Sequence, residues 1–255
     1  MTQGSRTKGC KGLEQPARGL TANTIKWIAI AAMLIDHIAW GFVPFDSVAG
    51  QMMHIIGRIT APTMCFFLAE GYAYTRNFKN YLCRLGLFAL VSQIPFTLFE
   101  TGKVQFLVSG SSSETFNVIY TLFLSLLAIR AYDKIQNIGL RFFAVLGLCF
   151  LSFPGDWMFF DVLFALTFWR NRGDISQQMR SFSILAVIMV LAGTFTSVSQ
   201  GYPIYSQLFQ AGVLLCIPIL SLYNGQRGGG RYSKWTFYIF YPAHLLVLGL
   251  IKLFI

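Results

Sequence analysis

Asp36 and His37 place a carboxylate beside an imidazole inside the first long apolar segment of the chain, residues 25–43. A charged side chain at the centre of a membrane-spanning helix costs about 2.5–3.5 kcal/mol on insertion scales, so such residues usually relay protons, conduct ions or catalyse. Adjacent residues on a helix point about 100° apart. Asp36 and His37 therefore cannot easily satisfy each other, and we expect each to find partners on other segments.

The composition indicates what kind of protein holds this pair. The 255 residues are 55% hydrophobic and only 12% charged, whereas soluble proteins have about 25% charged residues. The chain is predicted to be all-α, a polytopic membrane helical bundle. Its net charge of +10 does not indicate nucleic-acid binding, because the basic residues lie between apolar runs. The five cysteines show no metal-ligand spacing, and no metal site is predicted.

About nine apolar runs are long enough to be read as transmembrane helices. Residues 1–24 are polar and basic and are expected to form a disordered cytoplasmic tail, followed by a single transmembrane domain over residues 25–255. The spans are predicted at 25–43, 57–74, 82–99, 116–131, 140–153, 159–169, 182–198, 205–223 and 235–255. The fifth and sixth are short, which leaves open whether they are tilted, re-entrant or shielded by neighbours.

The distribution of basic residues predicts the orientation. If the N-terminus is cytoplasmic, all but three of the 20 Lys and Arg residues fall on the inner side of the nine spans. Arg58, Lys103 and Lys252 are the exceptions. This bias predicts an N-terminus inside, a C-terminus outside and a location in the bacterial cytoplasmic membrane.

The topology assigns similar depths to polar residues from different spans. Asp36, His37, Arg58, Gln93, Asn117 and Asp161 are predicted in the outer half of the membrane, with His244 near its middle. Their convergence would form a polar cavity that opens outward. Glu70 lies in the inner half, close to Arg76.

Structural roles for these residues stay open at this stage. Arg58 and Asp161 would also fit interfacial anchors or one ion pair. Asn117 would also fit a helix N-cap, and Gln93 a hydrogen bond between helices. His244 would also fit a partner for backbone groups freed by Pro242. Glu70 would fit either a helix–helix clamp or the lining of a donor tunnel.

Five stretches, taken in order, resemble one known family. They are residues 26–37, which end in Met33-Leu34-Ile35-Asp36-His37; residues 56–77, which begin Ile56-Gly57-Arg58-Ile59-Thr60-Ala61-Pro62; Ser92-Gln93-Ile94-Pro95-Phe96; Phe116-Asn117-Val118-Ile119-Tyr120-Thr121; and residues 237–245, which end in Tyr241-Pro242-Ala243-His244-Leu245. This ordered set resembles the TraX family, named for the F-pilin acetylation protein. The first and last stretches also resemble the wider membrane acyltransferases that include acyltransferase family 3. Residues 156–161 stand where a more Gly- and Tyr-rich turn is expected for TraX proteins.

The resemblance implies transfer of an acetyl group from acetyl-CoA, in the type member to a pilin N-terminal amine. It implies that His37 is the general base, that Asp36 orients it or sets its charge, and that Arg58, Asn117 and His244 donate hydrogen bonds around the reacting groups. Whether His37 or His244 takes the proton stays open. The substrate- or cofactor-binding candidates are Asn117, Gln93, Glu70, Arg76, Asp161 and Tyr241.

On this hypothesis acetyl-CoA binds from the basic inner side, and the acceptor reaches the cavity from the outer face. The acceptor would be a protein N-terminus, a glycan or a small molecule, with membrane lipids as the other expected partners. Two other functions are compatible with the same residues. A proton-coupled transporter would use Asp36, His37, Glu70 and His244 as a proton path. A non-enzymatic membrane assembly protein would use its polar residues to hold helices together.

Overall fold

A computed structural model of the protein describes residues 19–107, 115–230 and 233–254. This part of the chain is mostly helical and forms no strands, only two isolated bridges that join Leu20 to Tyr223 and Phe116 to Gly155. Most of the predicted N-terminal tail, residues 1–18, lies outside the described residues. The helices are α1 (Ala22–Phe42), α2 (Val48–Gly57), α3 (Thr60–Tyr74), α4 (Phe78–Thr101), α5 (Val118–Lys134), α6 (Ile138–Leu151), α7 (Phe160–Arg170), α8 (Ile175–Ser199), a 3₁₀ helix (Ile204–Leu215), α9 (Cys216–Ser221) and α10 (Ser233–Leu253).

The helix boundaries follow from local sequence signals. Asn77, Asn117 and Asn137 cap α4, α5 and α6, each accepting a hydrogen bond from a backbone N–H of the first turn. The chain leaves α1 just before Pro44, since the residue before a proline disfavours the helical conformation. Gly102 ends α4 in the left-handed conformation that glycine adopts without a steric penalty.

Six helical segments in the described residues are long and apolar enough to cross a membrane, by length and composition, fewer than the nine predicted. These segments are Ala22–Phe42, Val48–Tyr74, Phe78–Thr101, Ile175–Ser199, Ile204–Ser221 and Trp235–Leu253. The predicted spans 116–131, 140–153 and 159–169 correspond to the shorter helices α5, α6 and α7. With 17, 14 and 11 residues, they are shorter than the about 20 residues that a bilayer core of about 30 Å requires.

The helices α3, α5 and α7 form the interior of the bundle. They pack against one another, with α4 beside α5 and α8 beside α7. On the other side, α10 packs against α1 and α4. This arrangement brings the last turns of α1 and α4 to the same end of the bundle as the segments that lead into α3, α5 and α7. Most of the polar residues singled out in the sequence lie at that end.

Candidate active site

A cavity of about 360 Å³ opens where these helix ends meet. It is lined by Met33, Asp36, His37, Trp40, Gly57, Arg58, Thr60, Ala61, Met64, Phe96, Glu100, Val118, Leu122, Asp156, Trp157, Phe237 and Tyr241. The volume lies at the lower end of the range for small-molecule sites, about 300–1,000 Å³. The mixture of apolar walls with a few ionisable groups is typical of such sites.

Asp36 is held by two groups from outside its own helix. Its Oδ1 accepts a hydrogen bond from His54 Nδ1 at 2.8 Å, and its Oδ2 accepts one from Arg58 Nη2 at 2.5 Å. Asp36 and His54 are buried, so these charge-assisted bonds lie in a medium of low dielectric constant. The hydrogen bonds of Asp36 therefore go to His54 and Arg58 and not to the adjacent His37, while the expectation that Asp36 orients His37 or sets its charge stays a prediction.

Gly57 allows α2 to approach α1 closely enough for this pairing. A Cβ atom at position 57 would overlap the side chain of Asp36. The glycine also precedes the turn at Arg58 and Ile59 that separates α2 from α3. A short helix, a glycine contact and a turn therefore position His54 and Arg58 on the same carboxylate.

The Arg58 guanidinium is enclosed by aromatic rings as well as by Asp36. It lies 4.8 Å from the centroid of the Trp157 ring and 5.3 Å from that of Phe209. Trp157 has a φ of 65°, in the left-handed region that a bulky residue rarely adopts. Such backbone strain is found most often at functional sites. The chain thus accepts an unfavourable backbone conformation at the residue whose ring lies against the cation.

His37 and His244 form a pair across α1 and α10. His37 Nδ1 donates to the carbonyl of Met33 at 2.8 Å, and His244 Nδ1 donates to the carbonyl of Phe240 at 2.8 Å. His244 Nε2 lies 3.2 Å from His37 Nδ1. The Nδ1–H of His37 therefore forms a bifurcated hydrogen bond, to the carbonyl of Met33 and to His244 Nε2. In the neutral rings this arrangement leaves Nε2 of both imidazoles unprotonated. The lone pair of His244 Nε2 already accepts from His37, whereas that of His37 Nε2 remains available to take up a proton.

His37 is the member of the pair that lines the cavity, whereas the 6% exposed His244 is packed behind it. Tyr241, on the same helix as His244, also lines the cavity, with its ring centroid 6.5 Å from that of His37. The two imidazoles therefore have different positions. His37 lines the cavity, and His244 contacts His37 from outside the lining.

The loop between α6 and α7 supplies a cavity wall that sequence reasoning did not assign. Asp156 and Trp157 line the cavity, and the Asp156 N–H donates to the carbonyl of Phe116 at 2.9 Å. Glu100, in the last turn of α4, is a further unassigned carboxylate in the lining. The departure of residues 156–161 from the expected turn composition was the sequence signal for this loop.

Asn117 and Gln93 lie outside the cavity lining and connect helices. Asn117 Oδ1 caps α5 through the N–H of Ile119 at 3.0 Å, and its Nδ2 donates to Gln93 Oε1 at 2.7 Å and to the carbonyl of Ala89 at 2.8 Å. Gln93 Nε2 donates to the carbonyl of Thr115 at 2.7 Å. Both amide protons of Asn117 are committed, which corrects the prediction that it donates to the reacting groups.

Three other predicted residues also lie away from the cavity lining. Asp161 is fully buried and accepts a hydrogen bond from Thr121 Oγ1 at 2.7 Å, so it pairs with a hydroxyl and not with Arg58. Glu70 forms an ion pair with Arg172 at 2.8 Å, consistent with a clamp between α3 and the turn after α7. Arg76 is exposed in the turn between α3 and α4.

His54 is a further site residue that the sequence analysis did not assign. It lies in α2, between the predicted spans 25–43 and 57–74. Its spacing of four residues from Arg58 is the signal that would have found it, because residues i and i+4 share a helix face.

The model of the TraX protein family matches residues 21–252, which is most of the chain. The chain belongs to the TraX family. A protein of Dichelobacter nodosus named "Probable fimbrial assembly protein FimC, serogroup H1" is 30% identical over 241 residues, covering 92% of this TraX chain and 97% of that protein. No solved structure matches the chain significantly.

The TraX match includes both halves of the site, from α1 to α10. In chemical terms, the cavity combines a base with a free ring nitrogen, a fixed cation and two further carboxylates. The described residues contain no cluster of three or more His, Cys, Asp or Glu side chains that would hold a metal ion. The arrangement is therefore suited to proton transfer beside a developing negative charge.

Proposed function

We propose that this protein is an integral membrane acetyltransferase that moves an acetyl group from acetyl-CoA to an amine or hydroxyl acceptor. One observation carries the proposal: His37 and the Arg58 guanidinium, fixed by Asp36, line one cavity of the helical bundle. Acyl transfer needs a base for the nucleophile and a positive group for the oxygen of the carbonyl under attack. Family membership supports the reaction class, and the broader relation to acyltransferase family 3 belongs to the same proposal.

The proposed reaction uses His37 as the base and Arg58 as the oxyanion donor, and the proton removed from the acceptor ends on CoA. His37 Nε2 takes the proton of the attacking amine or hydroxyl, and a new C–N or C–O bond forms at the acetyl carbonyl. Arg58 stabilises the oxyanion with N–H groups not used by Asp36, since a guanidinium has five donors. The C–S bond then breaks, the acetylated acceptor leaves, and the proton on His37 passes to the sulfur of CoA. Removal of one oxyanion donor costs about 2.7–4 kcal/mol in related acyl transfers.

His244 would act through His37. Its Nε2 accepts from His37 Nδ1 at 3.2 Å, which would keep Nδ1 of His37 protonated and its Nε2 available as the base. This contact favours His37 as the base and His244 as a positioning residue.

The charges of the cavity favour an amine acceptor. Asp36, Glu100 and Asp156 contribute carboxyl groups to the lining, and Asp36 is paired with Arg58. Carboxyl oxygens can accept hydrogen bonds from the N–H groups of an amine, and they disfavour the phosphates of CoA. Only the thioester end of acetyl-CoA would then enter the cavity, while its phosphates remain near basic residues such as Arg76.

The same proposal places the N-terminus in the cytoplasm and the C-terminus outside, in the cytoplasmic membrane. The cavity would then open toward the outer side and the donor would approach from the inner side. The acceptor would be a fimbrial or pilin-like subunit, by analogy with the name of the Dichelobacter nodosus relative. That name equally favours a second candidate function, a membrane protein that assists fimbrial assembly without catalysis.

Purified protein in lipid nanodiscs, with radiolabelled acetyl-CoA and a peptide amine acceptor, tests the proposal. The wild type should transfer label to the peptide. His37→Ala should lose nearly all transfer, and His244→Ala should retain part of it. His244→Gln should recover activity relative to His244→Ala, because a glutamine oxygen can accept from His37 Nδ1.

Three controls separate catalysis from assembly. Arg180→Gln, an exposed basic residue outside the cavity, should leave transfer unchanged. Glu100→Gln should raise the KM for a cationic acceptor more than it lowers kcat. Absence of both acetyl-CoA binding and transfer in the folded wild-type protein would favour the assembly function, and pH-driven solute flux in liposomes would favour a transporter.

A further inference from the structure

A second cavity, of about 510 Å³, lies between α6, α7 and α8 and shares no lining residue with the candidate active site. Each of the three helices contributes four side chains spaced i, i+3, i+4 and i+7, as Ser181, Ile184, Leu185 and Ile188 do on α8. Seven residues of helix rise about 10 Å. The cavity is therefore a groove that runs along the helix axes.

The polar residues of the groove lie at one of its ends. Arg141 is in the first turn of α6, Arg170 is the last residue of α7, and Ser181 is in the first half of α8. A short connection joins α7 to α8, so the end of one lies beside the start of the other. The rest of the groove is mainly aliphatic and aromatic, including Val145 and Leu163.

The two arginines carry positive charge that the groove does not neutralise. No Asp or Glu lines the groove, and neither arginine forms an ion pair with a carboxylate in the part of the chain that the structure describes. The Arg141 guanidinium lies 4.9 Å from the Tyr132 ring centroid, which orients it at the polar end. Two cations at the end of an apolar groove fit a ligand with an anionic head and an apolar chain.

The apolar walls are open toward the side of the bundle. Phe142 is 61% exposed and Ile184 is 66% exposed. None of the α6 residues is buried, although α6 is an apolar helix. For a protein embedded in a membrane, the phase next to these side chains is lipid.

We infer that this groove binds an anionic glycerophospholipid, with its phosphate on Arg141 and Arg170 and one acyl chain along Val145, Leu163 and Ile188. Basic pockets between membrane helices on the cytoplasmic side hold anionic lipid head groups. A partner helix would bury the apolar walls but would leave the two guanidinium groups without anions. The inference depends on neither the base nor the cation of the proposed acetyltransferase site.

Native mass spectrometry of the full-length protein tests the inference. The protein is released from detergent containing phosphatidylglycerol or phosphatidylcholine with the same acyl chains, and the lipid retained per protein is counted. Wild-type protein should retain phosphatidylglycerol preferentially. Arg141→Gln and Arg170→Gln should each reduce that preference about fivefold, since one basic residue contributes about 1 kcal/mol to anionic lipid binding.

Matched variants separate the site from general effects. The double variant Lys79→Gln/Arg180→Gln removes the same charge from exposed positions outside the groove and should retain the wild-type preference. Val145→Trp should fill the groove and expel the retained lipid, whereas Leu146→Trp, at an exposed position beside it, should not. Equal preference in Arg141→Gln/Arg170→Gln and the wild type, or equal losses in both double variants, would overturn the inference. So would the release of stable dimers without lipid.

Discussion

His54 connects the chemistry of the cavity to the packing around it. The imidazole is fully buried, donates to Asp36 Oδ1 at 2.8 Å, and packs with its ring centroid 4.3 Å from that of Trp40. Asp36 in turn holds Arg58. His54, which does not line the cavity, therefore helps to fix Arg58, the cation proposed to contact the substrate.

His54→Phe is expected to keep the ring packing and remove the N–H. Asp36 Oδ1 then loses its buried donor, at a cost of about 1–3 kcal/mol in the free energy of unfolding. Arg58 should also shift away from the oxygen that it stabilises. The kcat of acetyl transfer should therefore fall by a larger factor than the KM rises. Thermal unfolding in detergent and steady-state kinetics measure the two effects.

His54→Asn serves as the control, because its amide nitrogen matches the position of Nδ1 and can still donate to Asp36. It should recover more stability and more kcat than His54→Phe. Equal kcat for His54→Phe and wild type would show that Arg58 does not depend on this contact.

At the scale of elements, the contact between α1 and α2 depends on Gly57. An alanine there would bring its Cβ into the side chain of Asp36. Gly57→Ala should destabilise the fold by about 1–3 kcal/mol, as overpacked sites do, and should reduce acetyl transfer by displacing Asp36. The measurements are the unfolding midpoint and the transfer rate.

Gly147 provides the matched helical control for Gly57. A Cβ atom at this position of α6 would meet nothing within 4 Å. Gly147→Ala should therefore be neutral or stabilise the protein by up to about 1 kcal/mol, because alanine favours the helix. A similar effect for both substitutions would contradict the role given to Gly57.

Asn117 and Asn137 are both N-caps, one buried and one exposed. Asn137→Ala should cost about 0.5–2 kcal/mol, the usual effect of losing a cap. Asn117→Ala should cost more, since it also removes the donor to the buried Gln93 Oε1. Denaturant or thermal titration compares the two. A loss of transfer in Asn117→Ala without loss of stability would instead support the catalytic role first predicted for this residue.

The elements themselves were largely predictable, because long apolar runs bounded by Asn, Gly and Pro determine where a membrane helix begins and ends. The helix α2 and the turn at Arg58 were not predicted. Their formation depends on contacts of α2 with α1 and with the 3₁₀ helix, which are distant in sequence. Side-chain partners were equally hidden: Asp36 was expected to need partners elsewhere, but the sequence does not show that His54 supplies one.

At the scale of the whole molecule, the polar residues converge because successive helices run in alternating directions through the bundle. The ends of α1 and α4 and the starts of α3 and α5 meet at the same end of the bundle, so polar residues near those ends share a depth. That alternation was readable from the sequence and predicts the neighbourhood of Arg58 and His37. It does not distinguish residues that line the cavity from residues that hydrogen-bond one helix to another. That distinction depends on the rotation of each helix about its axis, which packing determines. Asn117 and Asp161 consequently share the depth but not the cavity.

The orientation of the molecule can be tested on two exposed positions at opposite ends of the bundle. Asp46 lies in the turn between α1 and α2, and Lys79 lies in the first turn of α4. The five native cysteines are replaced first, and single cysteines are introduced at these positions. In intact cells, a membrane-impermeant maleimide should label Asp46→Cys and not Lys79→Cys, whereas disrupted cells should allow both to react.

This labelling pattern follows from the basic residues, which concentrate at the end of the bundle that contains the turn before α4. It also decides the direction of the proposed chemistry. The candidate cavity lies at the same end as Asp46, so labelling from outside would give an extracytoplasmic acceptor access to His37. The opposite pattern would place His37 on the cytoplasmic side, and acetyl transfer would then require an acceptor that is modified before export.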